Sequence, residues 1–183
     1  MPPSRKRPSD LRMLEIRESM PVDETALEAL YPLVFPEEDL LSLLKALLED
    51  SSVISLVGVD GGSVLAHIAF SACQVAGGLE RLALLGPLAV APTRQRKGIG
   101  SALVKAGLQR LRQDGAKRVF VLGDPGYYGR FGFRPDGDVT PPYALPVEWE
   151  GAWQSLSLDD DRWAIHGPLE VPAPWQDPAL WGP

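Results

Sequence analysis

The residues that decide how this chain folds are Leu88-Ala89-Val90-Ala91-Pro92, followed two residues later by Gln95-Arg96-Lys97-Gly98-Ile99-Gly100. They predict an apolar strand, a polar loop and the start of an amphipathic helix over residues 98–114. The first backbone N–H groups of a helix have no helical acceptor and carry partial positive charge, so such a turn binds phosphate. Gly98 and Gly100 let a phosphate come close to the main chain. The stretch therefore predicts a site for a phosphate-bearing ligand.

Apolar patterns place further elements on both sides of this stretch. Strands are predicted over residues 11–17, 53–59, 63–75, 80–91 and 119–122, with one or two late strands within 143–158, and helices over 22–33 and 37–48. Asp60-Gly61-Gly62 predicts a tight turn between two strands. Gly86-Pro87 predicts a bulge or local splay within the strand that leads to the loop. This order of elements indicates an α+β fold with a mixed sheet.

The distribution of charge separates the loop and its helix from the rest of the chain. The net charge is −6, yet residues 93–134 hold ten basic and two acidic residues, a net +8 that leaves −14 elsewhere. A local positive field within an acidic protein suits a small, highly charged anion better than a long polyanion. A general nucleic-acid binder is therefore disfavoured.

The numbers of cysteines and histidines and the hydropathy of the chain restrict the class of protein further. Cys73 is the only cysteine and His67 and His166 are the only histidines, so neither a disulfide nor a zinc site of the usual spacing is predicted. No run approaches the roughly 18 apolar residues of a membrane span, and residues 1–10 lack the apolar core of a secretory signal. These features predict a cytoplasmic protein with no metal and no membrane partner, whose residues 1–10 form a flexible tail.

Two other phosphate-binding motifs compete with this interpretation of the loop. A Walker loop is excluded because no Gly-Lys-Ser or Gly-Lys-Thr occurs. A dinucleotide fingerprint is disfavoured because Leu103 stands where its third glycine would be, and because residues 92–97 separate the strand from the glycines. A nucleotide or sugar-phosphate binder that uses the same loop stays open as the weakest alternative.

At these residues the sequence resembles the GNAT-type N-acetyltransferase superfamily. The family signature is Gln or Arg, two variable residues, Gly, one variable residue, then Gly or Ala, and Gln95, Gly98 and Gly100 match it. A second family element is a tyrosine followed by three residues and then Gly-Phe, which Tyr128 and Gly132-Phe133 match. The stretch that holds this second element is similar to the bacterial YhbS-like branch.

The resemblance implies an α+β fold whose mixed, mostly antiparallel central sheet has helices on both faces and a splayed strand pair for the cofactor. It implies acetyl-CoA as acyl donor and acetyl transfer to a primary amine by direct attack in a ternary complex. Backbone groups of the strand would pair with the pantetheine arm, and the loop would hold the pyrophosphate. The implied cofactor residues are Leu88, Ala89, Val90, Gln95, Arg96, Lys97, Gly98, Ile99, Gly100, Ser101 and Tyr128.

The resemblance also implies which residues take part in the chemistry. The Leu88 amide would polarise the thioester carbonyl, and Tyr128 would protonate the departing thiolate. Tyr127 is expected only to pack or to cap the turn. Some family members carry a glutamate base where this chain has Leu84, and Glu80, on the same strand face, is the substitute candidate, acting through a water molecule.

Residues 11–150 are predicted to form the N-acetyltransferase domain, and the Pro- and Trp-rich residues 151–183 an extension packed on it. The five tryptophans of the chain are expected to pack this extension onto the domain or to form a dimer contact rather than to line an acceptor pocket. His67 is expected to be a satisfied core residue and Cys73 a small buried hydrophobe.

The acceptor is expected to be an amine on a small molecule or a protein, and the acidic remainder of the chain favours a cationic one, such as a polyamine, an aminoglycoside or a protein lysine. A homodimer is compatible with the sequence. The alternative function is a catalytically inactive acetyl-CoA-binding sensor or interaction module of the same fold, because Leu84 replaces the family's glutamate.

Overall fold

The fold is described by a computed structural model that covers residues 13–160 and 164–183. Its strands are β1 (Leu14–Glu18), β2 (Ile54–Asp60), β3 (Ser63–Val75), β4 (Leu82–Val90), β5 (Arg118–Leu122), β6 (Arg134–Pro135), β7 (Val139–Thr140), β8 (Trp153–Ser157) and β9 (Gly167–Glu170). Its helices are α1 (Glu24–Val34), α2 (Leu41–Glu49), α3 (Ile99–Gln113) and the short α4 (Pro125–Tyr128). The tail predicted over residues 1–10 lies outside the described residues.

The central sheet is mixed and mostly antiparallel, as predicted. Its strand order is β1-β2-β3-β4-β5-β8-β6, and β4 and β5 form the parallel pair within it. Strand β9 pairs antiparallel with the far end of β3 and parallel with β7. Helices α1 and α2 pack with one part of the core and α3 with another, on the two faces of the sheet. The predicted α+β architecture is confirmed.

The turn between β2 and β3 forms where Asp60-Gly61-Gly62 predicts it. Gly61 and Gly62 have φ angles of +56° and +82°. Both lie in the left-handed region that a tight hairpin turn requires and that only glycine adopts without strain. The hairpin sets the register of the two strands, in which Val57 stands opposite His67.

Helix α3 covers residues 99–113, within one residue of the prediction at each end. Gly115 has a φ of +80°, which is typical of the residue that follows a helix end. The buried face of the helix packs on the sheet through Ile99, Leu103, Val104, Leu108 and Leu111. No helix within the described residues combines the length and apolarity that a bilayer crossing requires.

Strands β4 and β5 run side by side for four residue pairs and then separate. The parallel pairing joins residues 82–85 to residues 118–121. At Gly86-Pro87 the register of β4 against β3 also shifts, since proline cannot donate a ladder hydrogen bond. The predicted bulge is confirmed, and beyond it Leu88 and Leu122 face a common cavity.

The chain after β6 is less regular than predicted. Of the late strands predicted within residues 143–158, β8 forms, whereas residues 147–152 adopt a 3-10 helix. Prolines at positions 141, 142 and 146 cannot donate ladder hydrogen bonds, which disfavours a longer strand. Strand β8 follows residue 150 and pairs with β5 in the main sheet.

Three tryptophans form a buried cluster beside the sheet. The Trp153 and Trp181 ring centroids are 5.8 Å apart, and those of Trp175 and Trp181 are 6.0 Å apart. The Trp153 indole N–H donates to the Val139 carbonyl (2.7 Å). Each ring thus buries a large apolar surface while its polar atom is satisfied.

Candidate active site

The loop before α3 presents backbone amides at the start of a long helix. Gly98 is the N-cap of α3 and has a φ of +83°. The first helical hydrogen bond runs from the Ala102 N–H to the Gly98 carbonyl (3.0 Å). The amides of Ile99, Gly100 and Ser101 therefore have no helical acceptor. This arrangement can bind an anion through the main chain.

Arginine side chains surround the cavity beside this loop. The cavity has a volume of about 490 Å³ and is lined by Arg94, Arg96 and Arg130, with no acidic residue among its lining residues. Arg94 is paired with Asp60, whereas Arg96 and Arg130 are exposed. Lys97 is exposed too but does not line the cavity. The cavity therefore offers positive charge to an anion.

Gln95 ties the loop to the end of β4. Its side-chain amide donates to the Val90 carbonyl (3.1 Å). Leu88 and Val90 line the loop cavity, whereas the Ala89 side chain is buried in the core on the opposite face of the sheet. Because side chains alternate along a strand, Ala89 can contribute only main-chain groups to the cavity.

A second cavity, of about 510 Å³, lies where β4 and β5 separate. Its lining is mainly apolar and includes two acidic residues and no Lys, Arg or His. The lining residues are Phe35, Glu38, Leu40, Leu43, Leu84, Leu85, Gly86, Pro87, Leu88, Val121, Leu122, Asp124, Tyr127, Tyr128, Trp175, Leu180 and Trp181. This second cavity, called the splay cavity, therefore favours a cation, whereas the loop cavity beside the start of α3 favours an anion.

The two cavities meet, because Leu88 and Tyr127 line both. The Tyr127 side chain is hydrogen-bonded to Ser101, although burial still raises the Tyr127 pKa. Its hydroxyl lies 2.7 Å from the position that a Cβ atom on Gly100 would take. Sequence reasoning expected Tyr127 only to pack. It missed this place in the site because the contact between α4 and the start of α3 leaves no local pattern in the sequence.

Tyr128 is buried on the splay side of this junction. Its ring packs edge-on against Tyr127 and Phe133, with centroids 5.0 Å and 5.6 Å apart. The backbone at Gly123 lies against the same ring, and the Asp124 carboxylate caps the helix that carries it. Burial raises the pKa of Tyr128 well above its ordinary value, so the phenol stays protonated at neutral pH.

Glu80 is not part of this site. It precedes β4, where its carboxylate accepts a hydrogen bond from the Leu79 amide (3.1 Å), and it lines a separate surface cavity. Eight residues of extended chain separate Glu80 from Leu88, which corresponds to about 26 Å. The two positions share a strand face, but a shared face does not bring two side chains to the same end of a strand. The structure therefore does not bring Glu80 together with Leu88 and Tyr128.

His67 and Cys73 are core residues, as predicted. The His67 ring nitrogens are hydrogen-bonded to the Tyr31 hydroxyl (2.6 Å) and the Ser55 hydroxyl (2.8 Å), and burial lowers the His67 pKa to about 4. Cys73 is buried and unpaired, and burial raises its pKa to about 12. Within residues 13–160 and 164–183, no group of three or more His, Cys, Asp or Glu side chains is arranged to hold a metal ion.

Similarity to known families covers most of the chain. The profile of the Acetyltransferase (GNAT) family matches residues 20–133. The uncharacterized N-acetyltransferase YjhQ of Escherichia coli (strain K12) is 34% identical over 146 residues, which span 75% of this chain and 81% of YjhQ. The uncharacterized N-acetyltransferase YhbS of the same organism is 33% identical over 157 residues, which span 83% of this chain and 90% of YhbS.

Solved structures of two such proteins share the fold. The crystal structure of YhbS from Escherichia coli in complex with CoA superposes with a TM-score of 0.82 at 30% identity, over 90% of this chain and 93% of that one. A GNAT family acetyltransferase from Brucella melitensis in complex with acetyl-CoA superposes with a TM-score of 0.71 at 30% identity, over 89% of this chain and 98% of that one.

Proposed function

This chain belongs to the Acetyltransferase (GNAT) family, and we propose that it transfers the acetyl group of acetyl-CoA to a primary amine by direct attack in a ternary complex. It is an N-acetyltransferase, and acetyl-CoA is its acyl donor. The observation that carries the proposal is the trough made by the loop cavity and the splay cavity, which adjoin at Leu88 and Tyr127, the two residues that line both. Such a trough suits a ligand with a diphosphate at one end and a reactive acyl group at the other.

The loop residues would hold the diphosphate. The amides of Ile99, Gly100 and Ser101 begin α3 without helical acceptors, and Arg96 adds a cation at the cavity wall. Gln95 would act indirectly, because its hydrogen bond to the end of β4 positions the loop. These features fit an anionic group held mainly by the main chain.

The end of β4 would hold the pantetheine arm. Residues 88–90 pair with β3 along one edge, while the pairing with β5 along the other edge ends at Leu85. The backbone groups of Leu88 and Val90 on that second edge suit hydrogen bonding to an extended arm. The Leu88 amide would polarise the thioester carbonyl as a preorganised donor.

Acetyl-CoA supplies an acetyl group activated as a thioester. In the balanced transfer a nitrogen–carbon bond forms, the carbon–sulfur bond breaks, the amine loses one proton and the sulfur gains one. Tyr128 would donate the proton to sulfur, since a tyrosine phenol is protonated at neutral pH and Tyr128 lines the splay cavity. Leu84 leaves β4 without the carboxylate that some family members carry, so solvent water that reaches the splay cavity would accept the amine proton.

The proposal extends to the cellular setting of the reaction. Cys73 is the only cysteine of the chain, and it is buried and unpaired. A lone reduced thiol suits a compartment that keeps thiols reduced, which supports a cytoplasmic location. The acceptor is an amine on a small molecule or a protein, and a homodimer is compatible with the reaction.

The test is acetyl-CoA consumption by the full chain with a panel of primary amines, measured as free CoA thiol. Cys73 will not disturb this measurement, because a buried thiol with a raised pKa reacts slowly. Tyr128→Phe should lower kcat by about a hundredfold or more and leave the affinity for acetyl-CoA unchanged. The matched control is Tyr143→Phe, which removes a hydroxyl outside the trough.

Each outcome separates the proposal from its alternatives. Turnover by the wild type that Tyr128→Phe removes would support acetyl transfer. Binding of acetyl-CoA in calorimetry without turnover of any amine would favour the inactive sensor. Thermal stabilisation by ATP or NAD, but not by acetyl-CoA, would contradict the cofactor assignment itself.

A further inference from the structure

The C-terminal segment forms one wall of the splay cavity. Trp175, Leu180 and Trp181 line it. The Trp175 indole N–H donates to the Ser71 hydroxyl (3.0 Å), and the Trp181 indole N–H donates to the Trp175 carbonyl (3.0 Å). These bonds satisfy the polar atom of each indole and fix both rings. The apolar surface that they form is called here the indole wall, and it does not depend on a ligand.

Trp175 also reaches the point where the strands separate. A Cβ atom on Gly86 would lie 3.2 Å from the edge of the Trp175 indole. The ring therefore packs directly on the bulge that precedes Leu88, whose amide is proposed to polarise the thioester. A molecule in the splay cavity would lie between this indole and the position of acetyl transfer.

A second apolar wall comes from the connection between α1 and α2. Phe35, Leu40 and Leu43 line the cavity from this side. Glu38 lies on the same connection and is exposed at the rim. The occupant is thus surrounded by aromatic and aliphatic side chains, with one carboxylate at the entrance.

Two carboxylates line the cavity, and they differ in their contacts. The Asp124 carboxylate accepts a hydrogen bond from the Gly126 amide through Oδ1 (2.8 Å) and caps α4, while it keeps its negative charge. Within the described residues Glu38 makes no side-chain hydrogen bond or ion pair, so its carboxylate is available to a cation. Away from these two carboxylates the cavity is lined mainly by leucine and aromatic side chains, where a charged group would lose its hydration without compensation.

We propose that the acceptor is a small primary amine with an apolar body, bound between the indole wall and the α1–α2 connection. Glu38 attracts its ammonium form at the entrance, and the nitrogen attacks the thioester after the ammonium has lost a proton to solvent. The cavity volume of about 510 Å³ lies in the range of small-molecule sites, roughly 300–1,000 Å³. An indole face also attracts a cation. This inference rests on the proposed acetyl transfer and specifies its acceptor.

The test compares phenethylamine with putrescine, kanamycin and Nα-acetyl-lysine as acceptors for the full chain at saturating acetyl-CoA. Phenethylamine should have a KM lower than that of putrescine by about tenfold or more, which corresponds to the burial of a few methylene equivalents. A preference for putrescine, kanamycin or the lysine derivative would overturn the inference and leave the proposed acetyl transfer intact.

Two variants test the two sides of the splay cavity, one on the α1–α2 connection and one on the C-terminal segment. Glu38→Gln should raise the KM for phenethylamine by about tenfold, as expected for the loss of a charge-assisted hydrogen bond, and should not change the affinity for acetyl-CoA. Glu37→Gln makes the same change on the neighbouring exposed residue, which does not line the cavity, and should leave the KM unchanged. Leu180→Ser, at a half-buried wall position, should weaken phenethylamine more than putrescine. Equal effects of Glu38→Gln and Glu37→Gln would overturn the role given to Glu38.

A binding measurement keeps the inference testable if no amine is acetylated. In that case the proposed acetyl transfer fails, and tryptophan fluorescence is titrated with phenethylamine and with putrescine in the presence of CoA. A saturable change with phenethylamine alone, reduced by Leu180→Ser, would support the apolar amine site. No change with phenethylamine, or an equal change with putrescine, would overturn it.

Discussion

The Tyr128 ring lies against Gly123, in the space that a Cβ atom at that position would need. Tyr127 and Phe133 pack on the same ring. The phenol can therefore take its position beside the trough only because the residue that follows β5 is a glycine.

Gly123→Ala is expected to displace the Tyr128 ring and lower kcat by about 10- to 100-fold, because small errors in the position of a catalytic group are costly. The affinity for acetyl-CoA should change little, since the loop before α3 is untouched. Steady-state kinetics and calorimetry would measure both quantities. Gly129→Ala is the matched control, because a Cβ atom at Gly129 meets no atom within 4 Å. Equal kcat values for the two variants would contradict the role of this contact.

Arg96 combines a positive φ of +60° with a charge at the loop cavity. Arg96→Ala and Arg96→Gly both remove the charge, so both should weaken acetyl-CoA binding by about fivefold at low salt, and the loss should shrink at high salt. Arg96→Gly should be more stable than Arg96→Ala by about 1 kcal/mol, because glycine adopts a positive φ without strain. Calorimetry and urea unfolding would separate the two effects. Identical stabilities of the two variants would contradict the predicted backbone strain.

Stability should fall with pH through His67. Burial lowers the folded-state pKa of His67 to about 4, below its ordinary value of about 6.5. Between these values the unfolded chain binds the proton and the folded chain does not, so the free energy of unfolding decreases as pH falls from about 6.5 to 4. The loss is on the order of 3 kcal/mol.

Urea unfolding at several pH values would measure this slope. His67→Gln should flatten it, whatever the variant does to absolute stability. His166→Gln removes the other histidine, which is exposed, and should leave the slope in place. A slope in this interval that persists in His67→Gln would assign it to other groups.

Trp181 should be among the most costly side chains to remove. It is 2% exposed and contacts Trp153 and Trp175, so Trp181→Ala should lower the free energy of unfolding by about 3–5 kcal/mol. Trp149→Ala, at a residue that is 37% exposed, should cost about 1 kcal/mol or less. A small effect of Trp181→Ala would contradict the proposed packing of residues 151–183 on the domain.

The sequence predicts the bounds of a helix or strand well where glycines flank it and its apolar residues are regularly spaced. Strand β3 was predicted with both of its observed ends, because paired glycines stand on either side of it. The prediction for α2 began at residue 37, but the helix begins at Leu41. The Asp39 carboxylate accepts a hydrogen bond from the Leu41 amide (3.3 Å), so the residues before Leu41 form the connection that carries Glu38.

The acceptor side of the site could not be predicted, because it depends on residues far apart in the chain. Trp175 bonds to Ser71 across 104 positions, and no pattern within either segment predicts that contact. The alternation of side chains along a strand predicts that Glu80 and Leu84 share a face of the sheet. It does not predict which end of the strand faces the site. The loop before α3 was different, since one continuous stretch provides its glycines, its amides and its cations.

Because β9 pairs with β3, the sheet can be completed only after nearly the whole chain has been synthesised. Gln74 on β3 bonds to Glu170 on β9, 96 positions later. A nascent chain that has left the ribosome only as far as Phe133 already contains both glycine-bearing motifs, yet it lacks β8, β9 and the indole wall. Its apolar sheet edge stays open during that interval, which is when a chain of high contact order is most exposed to aggregation. Premature termination or proteolytic trimming before Trp175 would accordingly yield a polypeptide that keeps the anion-binding loop and has lost the surface proposed to select the amine.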